Sequence, residues 1–246
     1  MKITWCGRTH ICGRPQNEDA MQAQQFSPHL YGFAVADGLG GLPAGEVASR
    51  LAVMSLFETV QSMVPKEGPV SRARMQEMLD TGFLAASAAI KKSSDADPEQ
   101  AGMATTLVAA LVNEKGEGVV AHAGDSRAYL AGPTLVQVST DHSLVQEMVA
   151  RGLITQEGAA AHPDRNVVTR VVSEKPVRPD CKDISLAEGT LLLCSDGLTD
   201  AMTGPEIHAS LQEPDLERAC TMLIERAVAA HHDNTTLIVG RAVQGT

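Results

Sequence analysis

Tyr31-Gly32-Phe33-Ala34-Val35-Ala36-Asp37-Gly38 is an apolar run that stops at an acid followed by glycine. A short apolar run bounded by a turn signal reads as a strand buried on both faces. The pattern returns three times. Val119-Val120-Ala121-His122-Ala123-Gly124 runs into Asp125, and Leu191-Leu192-Leu193-Cys194-Ser195 runs into Asp196-Gly197. Thr235-Thr236-Leu237-Ile238-Val239 is preceded by Asp233-Asn234. A buried strand ends where the chain leaves the core, so aspartates at four such ends can meet on one rim of a layered β structure. Converging carboxylates raise each other's pKa unless a cation lies among them. Mg²⁺ and Mn²⁺ prefer oxygen ligands and suit that place. Each Asp-Gly is also what an ordinary turn shows. With the Glu18-Asp19 pair added, the residues alone leave turn and metal site both open.

Outward from these runs the chain punctuates itself. Residues 43–64 have helical periodicity, with Val47, Leu51 and Met54 on one face and Ala44, Ala48 and Ala52 beside them, until Pro65 stops the helix. A second helix is expected over about 71–92, with Met75, Met78, Leu79, Phe83 and Ala86 as its buried stripe, and 93–100 as a polar loop. Residues 104–112 read as a strand with a hairpin turn over 113–118, and 128–130 and 135–138 as short strands. Residues 141–151 read as a short helix and 155–165 as a polar surface excursion. Residues 190–194 form a buried strand, and Leu216, Ala219, Cys220, Leu223 and Ala227 line a later helix. This is not the regular alternation of a doubly wound sheet. Hairpin-linked strands with helices in pairs predict an α+β sandwich, two mostly antiparallel sheets with helical layers outside.

Composition narrows the function classes. The 246 residues include 30 acids against 20 basic residues, a formal charge of −10. That argues against nucleic acid and against an anionic membrane surface as partners. A 3% aromatic content gives no base-stacking platform. The five cysteines, at 6, 12, 181, 194 and 220, are odd in number and contain no CxxC pair, so neither a disulfide frame nor a zinc site is expected. No apolar run approaches the roughly 18 residues of a membrane span. The first residues, Met1-Lys2-Ile3-Thr4-Trp5-Cys6-Gly7, have no signal-like stretch, so a cytoplasmic location is expected. One domain over 1–246, monomeric, is the expected organisation.

Motifs in order along the chain then carry a resemblance. They are Arg14-Pro15-Gln16-Asn17-Glu18-Asp19, Val35-Ala36-Asp37-Gly38-Leu39-Gly40-Gly41 with Gly45-Glu46, and Gly102-Met103-Ala104-Thr105-Thr106-Leu107. Gly124-Asp125-Ser126-Arg127-Ala128-Tyr129, Asp141-His142-Ser143 and Arg165-Asn166-Val167-Val168-Thr169-Arg170 follow. Cys194-Ser195-Asp196-Gly197-Leu198-Thr199-Asp200 and Asp233-Asn234-Thr235-Thr236 end the series. Together they resemble the metal-dependent serine/threonine protein phosphatases of type 2C, the PPM family, in its compact bacterial form.

The resemblance implies a four-layer α-β-β-α sandwich and two Mn²⁺ or Mg²⁺ ions per subunit. Asp37 would bridge both ions and Gly38 would lend its carbonyl. Glu18 would complete one ion, and Asp196 with Asp233 the other. Asp125 with Asp196 matches a weaker third site. Asp19 would orient the attacking water, and Arg14 matches the arginine that holds the substrate phosphate with its forked donors. The implied reaction is hydrolysis of phosphoserine and phosphothreonine in proteins, opposing a bacterial serine/threonine kinase. A water bridging two metals about 3.5–4 Å apart would be the nucleophile, with no covalent intermediate. Only Cys220 and Arg226 have the Cys-x5-Arg spacing of covalent phosphatases, and they fall inside the stretch read as a helix rather than in a phosphate-binding loop. Leu39 stands where many relatives carry a histidine, so the general acid is unassigned, with a metal-bound water or His142 as candidates. Residues of about 144–172 match the family's variable flap. A phosphoprotein-binding pseudoenzyme and a different binuclear hydrolase are the rival readings. The full acidic set speaks against the first, and the lack of histidine among the motif carboxylates against the second.

Overall fold

Among the described residues, 2–243 of the chain in a computed structural model, ten strands form two five-stranded antiparallel sheets. Residues 1 and 244–246 of the expected 1–246 domain lie outside them. One sheet is ordered β1 (Lys2–His10), β10 (Thr235–Val243), β9 (Thr190–Cys194), β6 (Arg127–Ala131), β7 (Leu135–Gln137). The other is ordered β2 (Asp19–Ser27), β3 (Leu30–Asp37), β4 (Leu107–Asn113), β5 (Glu117–Ala123), β8 (Asp180–Ser185).

The alternation of side chains along each strand builds the layers. On β3, Tyr31, Phe33 and Val35 enter the core between the sheets, together with Leu191 and Leu193 of β9. The intervening Leu30, Ala34 and Ala36 face outward under α1 (Gly45–Met63) and α2 (Arg72–Ala96). Leu192 and Cys194 of β9 face the opposite way, under α5 (Asp196–Ala201), α6 (Gly204–Leu211) and α7 (Leu216–Ala230). Both faces of β3 and β9 are therefore covered, which is why their sequences are unbroken apolar runs. The result is the expected α-β-β-α sandwich, with two short helices added to one outer layer.

Three readings shift. The buried face of α1 is Ala48, Ala52, Val53, Leu56, Phe57 and Val60, whereas Met54 is exposed. The buried face mixes the small Ala48 and Ala52 with the larger Val53, Leu56, Phe57 and Val60, because α1 lies beside α2 on the same sheet and packs on both. α2 continues to Ala96 rather than stopping near 92. Its C-terminal turn is tied down by the buried Ser94, whose Oγ donates to Gln100 O at 3.1 Å. The strand expected over 104–112 begins at Leu107; Thr105 makes only isolated bridges, to Gly38 and Val172.

Between β7 and β8 the chain makes its long excursion, with α3 (Leu144–Ala150) capped by Ser143 and α4 (Gln156–Ala160) capped by Thr155. Its base is closed by Leu144 N–H donating to Val167 O at 2.9 Å and by the Thr105–Val172 bridge.

Candidate metal centre

The motif acids come from both sheets and reach one rim. Asp37 ends β3, and Asp19, the first residue of β2, is its register partner. Asp125 follows β5, Asp196 follows β9, and Asp233 precedes β10. Arg14, Glu18, Asp37, Gly38, Asp125, Asp196 and Asp233 line one basin of about 200 Å³. Asp19 is not among the lining residues and lies behind them.

The acids are held largely through their backbones, and only Asp19 and Asp233 have a carboxylate oxygen engaged by a non-acidic side chain among the described residues. Asp37 donates its N–H to Thr106 Oγ1 (3.0 Å), and its carbonyl accepts from Thr106 N–H (2.8 Å) and Thr105 Oγ1 (2.8 Å). Gly38 must be glycine: a Cβ there would stand 2.3 Å from Gly45 O. Glu18 is fixed by Asn234, whose Oδ1 accepts Glu18 N–H (2.8 Å) while Nδ2 donates to Ile11 O and Gln16 O. Ser195 Oγ, fully buried, donates to Asp19 Oδ2 at 2.9 Å and accepts from Thr236 N–H at 3.0 Å. Arg14 Nη2 reaches Asp233 Oδ2 at 2.5 Å, the one arginine in the basin lining.

The electrostatic outcome is a set of acids that resist ionisation. Burial, then Asp19, Asp196 and Asp125, pushes Asp37 well above the usual carboxylate range. Burial pushes Asp19 up to about 7 against the partial relief of Thr236 and Ser195, and Asp125 up to about 7 with help from Asp196. Asp196 rises to about 6 through burial and its neighbours Asp200 and Asp233. Glu18 is raised by burial and by Glu46. Asp19 Oδ1 and Asp196 Oδ1 are buried with no hydrogen-bond partner among the described residues. A polar atom buried without a partner costs free energy. All-oxygen donors, unpaired lone pairs and mutual repulsion fit a hard divalent cation and not zinc.

Other charged and imidazole side chains near the motifs stand apart from the basin. Arg127 clamps Asp141 through Nε (3.0 Å) and Nη2 (2.7 Å), a structural ion pair. Arg170 pairs with Asp180 at 2.5 Å. His142 has no free ring nitrogen to offer a leaving oxygen, since Nδ1 accepts Gly124 N–H at 3.1 Å and Nε2 faces Asp180 Oδ2 at 3.2 Å. It is not among the residues lining the basin. His231 takes a left-handed cap at the end of α7, and His232 lines a second cleft of about 450 Å³ beside the basin. The residues that sequence reasoning left without a role are Thr106, Ser195 and Asn234. Each lies inside a quoted motif, but its bonds reach residues far away in sequence, Thr106 to Asp37, Ser195 to Asp19 and Asn234 to Glu18.

Residues 6–231 match the family described as Protein phosphatase 2C. The chain is 35% identical over 233 residues to the serine/threonine protein phosphatase PstP of Mycobacterium tuberculosis, covering 94% of this chain and 43% of that protein. It thus spans less than half the length of the PstP relatives that it matches. The crystal structure of the serine/threonine phosphatase Stp1 from Staphylococcus aureus superposes with a TM-score of 0.89 at 32% identity, covering 100% of this chain and 96% of that one. The catalytic domain of PstP in complex with two manganese ions superposes with a TM-score of 0.83 at 31% identity, covering 98% and 99%.

Proposed function

From the premise that the chain belongs to the protein phosphatase 2C family, a metal-dependent family, we propose that it hydrolyses phosphoserine and phosphothreonine in protein substrates. The observation that carries the proposal is the basin itself: carboxylates from both sheets, aimed at one another, with raised pKa values and orphaned oxygens.

In this reading Glu18, Asp37, the Gly38 carbonyl, Asp196 and Asp233 hold two Mn²⁺ or Mg²⁺ ions, and Asp125 with Asp196 a weaker third. Bound there, the ions supply Lewis acidity towards phosphoryl oxygens and a water acidic enough to attack at neutral pH. The chain does the rest. Asp37 and Asp125 are kept in mutual register by Thr106, whose Oγ1 accepts Asp37 N–H and bonds Ser126 Oγ at 2.7 Å. Asp19, oriented by Ser195, would orient the attacking water through its free oxygen. Arg14 presents a planar fork to two phosphate oxygens, restraining the phosphoryl group for in-line attack. Leu39 at the rim adds no acid–base group, so the leaving seryl or threonyl oxygen takes its proton from solvent within the basin.

The same reading makes the described chain one catalytic domain, with the excursion of 144–172 as a flap beside the cleft. Its substrates are phosphoproteins, and a bacterial serine/threonine kinase is the opposing activity. The manganese-bound PstP domain supports two ions. Among the described residues no helix is long and apolar enough to cross a membrane.

The test is hydrolysis of a phosphothreonine peptide with Mn²⁺ and with EDTA. Turnover with Mn²⁺, abolished by EDTA and by Asp196→Asn, is expected. Mn²⁺ and phosphopeptide binding without turnover would instead make the chain a binding module.

A further inference from the structure

Behind the Asp125 corner stands a cluster of titratable side chains outside the proposed chemistry: His122 of β5, His142 before α3, Asp180 at the head of β8, and Arg170. A nitrogen or oxygen of His122, His142 and Asp180 lies within 4.8 Å of the others, close enough to suggest a second metal site. Two features exclude that. The imidazole rings are stacked, 4.7 Å apart and 4° from parallel, so their in-plane lone pairs cannot converge on one ion. And because His142 Nδ1 accepts the Gly124 N–H, its Nε2 must carry the proton that points at Asp180, leaving no lone pair there.

We propose instead that His142, as the neutral Nε2–H tautomer, is a positioning residue that sets Asp125 for its cation by locking the Gly124–Asp125 corner to the base of the flap. This rests on the reading of Asp125 as a ligand of the weaker metal site. Gly124 has φ +117°, and a Cβ there would stand 2.6 Å from Thr106 Cβ, so only glycine fits. A glycine has no side chain with which to hold itself. Its two backbone groups are both taken by His142: the ring Nδ1 accepts its N–H, and its carbonyl accepts His142 N–H at 3.0 Å. The other side of His142 belongs to the flap. Its carbonyl accepts Thr169 N–H at 2.8 Å, and its Nε2–H is aimed at Asp180, which Arg170 grips. His122 beneath it is buried, with Nε2 held at Thr140 and Nδ1 unpartnered among the described residues. It stacks flat against the His142 ring. One side chain therefore transmits the placement of the flap's two ends to the corner that bears Asp125.

The experiment pairs Mn²⁺ titration by calorimetry with long-range ¹H–¹⁵N spectra of the imidazoles. The spectra should show the His142 proton on Nε2, and need no substitution; a proton on Nδ1 overturns the proposal. His142→Leu should weaken the lower-affinity Mn²⁺ site about tenfold, the scale of one lost hydrogen bond, while the tight sites keep their affinity. His142→Asn places Oδ1 where Nδ1 was and should restore the weak site. A leucine variant with wild-type affinity, or an asparagine variant as weak as leucine, refutes the positioning role. Asp125→Asn separates the two layers of argument. If it spares the weak site, the ligand reading fails and the proposal with it. If it weakens the site while His142→Leu does not, only the positioning role falls.

Discussion

Asp125 and Asp141 line the same cleft, and the chain treats them in opposite ways. Asp141 receives the Nε–Nη2 edge of the Arg127 guanidinium and the Gln137 amide at 2.9 Å. Asp125 pairs with no cationic side chain among the described residues, and burial, then Asp196, pushes it up to about 7. A half-buried charge with a structural purpose is given its counter-ion by the sequence itself, Arg127 lying two residues along the same corner from Asp125. The acids of the basin are refused one, Arg14 on Asp233 excepted. The difference marks which charges serve the fold and which are kept for something the chain does not encode.

The largest test of that contrast is Asp37→Asn. Losing the central acid should cut phosphatase turnover by about a thousandfold or more, the scale of removing a charge-stabilising group at a reacting centre. It should also raise the melting temperature in EDTA, since it deletes a repelling charge. A variant that kept wild-type turnover would put Asp37 outside the chemistry. Arg127→Leu should do the reverse. It strands Asp141 and should cost about 3 kcal/mol in urea unfolding, unrelieved by Mn²⁺. If Mn²⁺ restored the lost stability, the two acids would not differ as described.

A smaller effect sharpens the comparison by pH. The raised pKa values of Asp19, Asp125 and Asp196 mean that the metal-free fold binds more protons than the unfolded chain. Their favourable contribution is full below the unfolded value near 4 and fades as pH rises through about 6 to 7. Cations relieve the same repulsion. The rise in melting temperature on adding Mn²⁺ should therefore be larger at pH 8 than at pH 5.5, and the Asp37→Asn variant should flatten the difference. Equal rises at both pH values would count against a shared, unpaired basin.

The comparison also explains what the sequence could tell. β3 and β9 were legible because both faces are buried, and their terminal acids stood out against apolar runs. β1, β2 and β8 passed unread. Each is an edge strand of its sheet, with one side open and polar residues along it, as in Asp180–Ser185. The short α5 and α6 carry too few turns to show a period. The site followed the same rule. Acids at strand ends could be named, whereas Ser195 on Asp19 and Asn234 on Glu18 are contacts across most of the chain, visible only once β9, β10 and β2 are adjacent. His122 left a trace, a lone polar residue in the run from Val119 to Gly124, but nothing local reveals the ring it stacks on.

Arg14→Lys gives the smallest effect and the finest cut. Arg14 is the exception within the basin, a cation that already touches an acid, Asp233. If its purpose were to neutralise Asp233, lysine would serve, because the charge is kept. If its purpose is to grip two phosphate oxygens, lysine fails in geometry, since a point charge cannot replace a planar fork. The expected result is a fall of about tenfold in kcat/KM for a phosphothreonine peptide, with Mn²⁺ affinity and melting temperature held. A lysine variant with unchanged kcat/KM would return Arg14 to the company of Arg127, a partner for a carboxylate and nothing more.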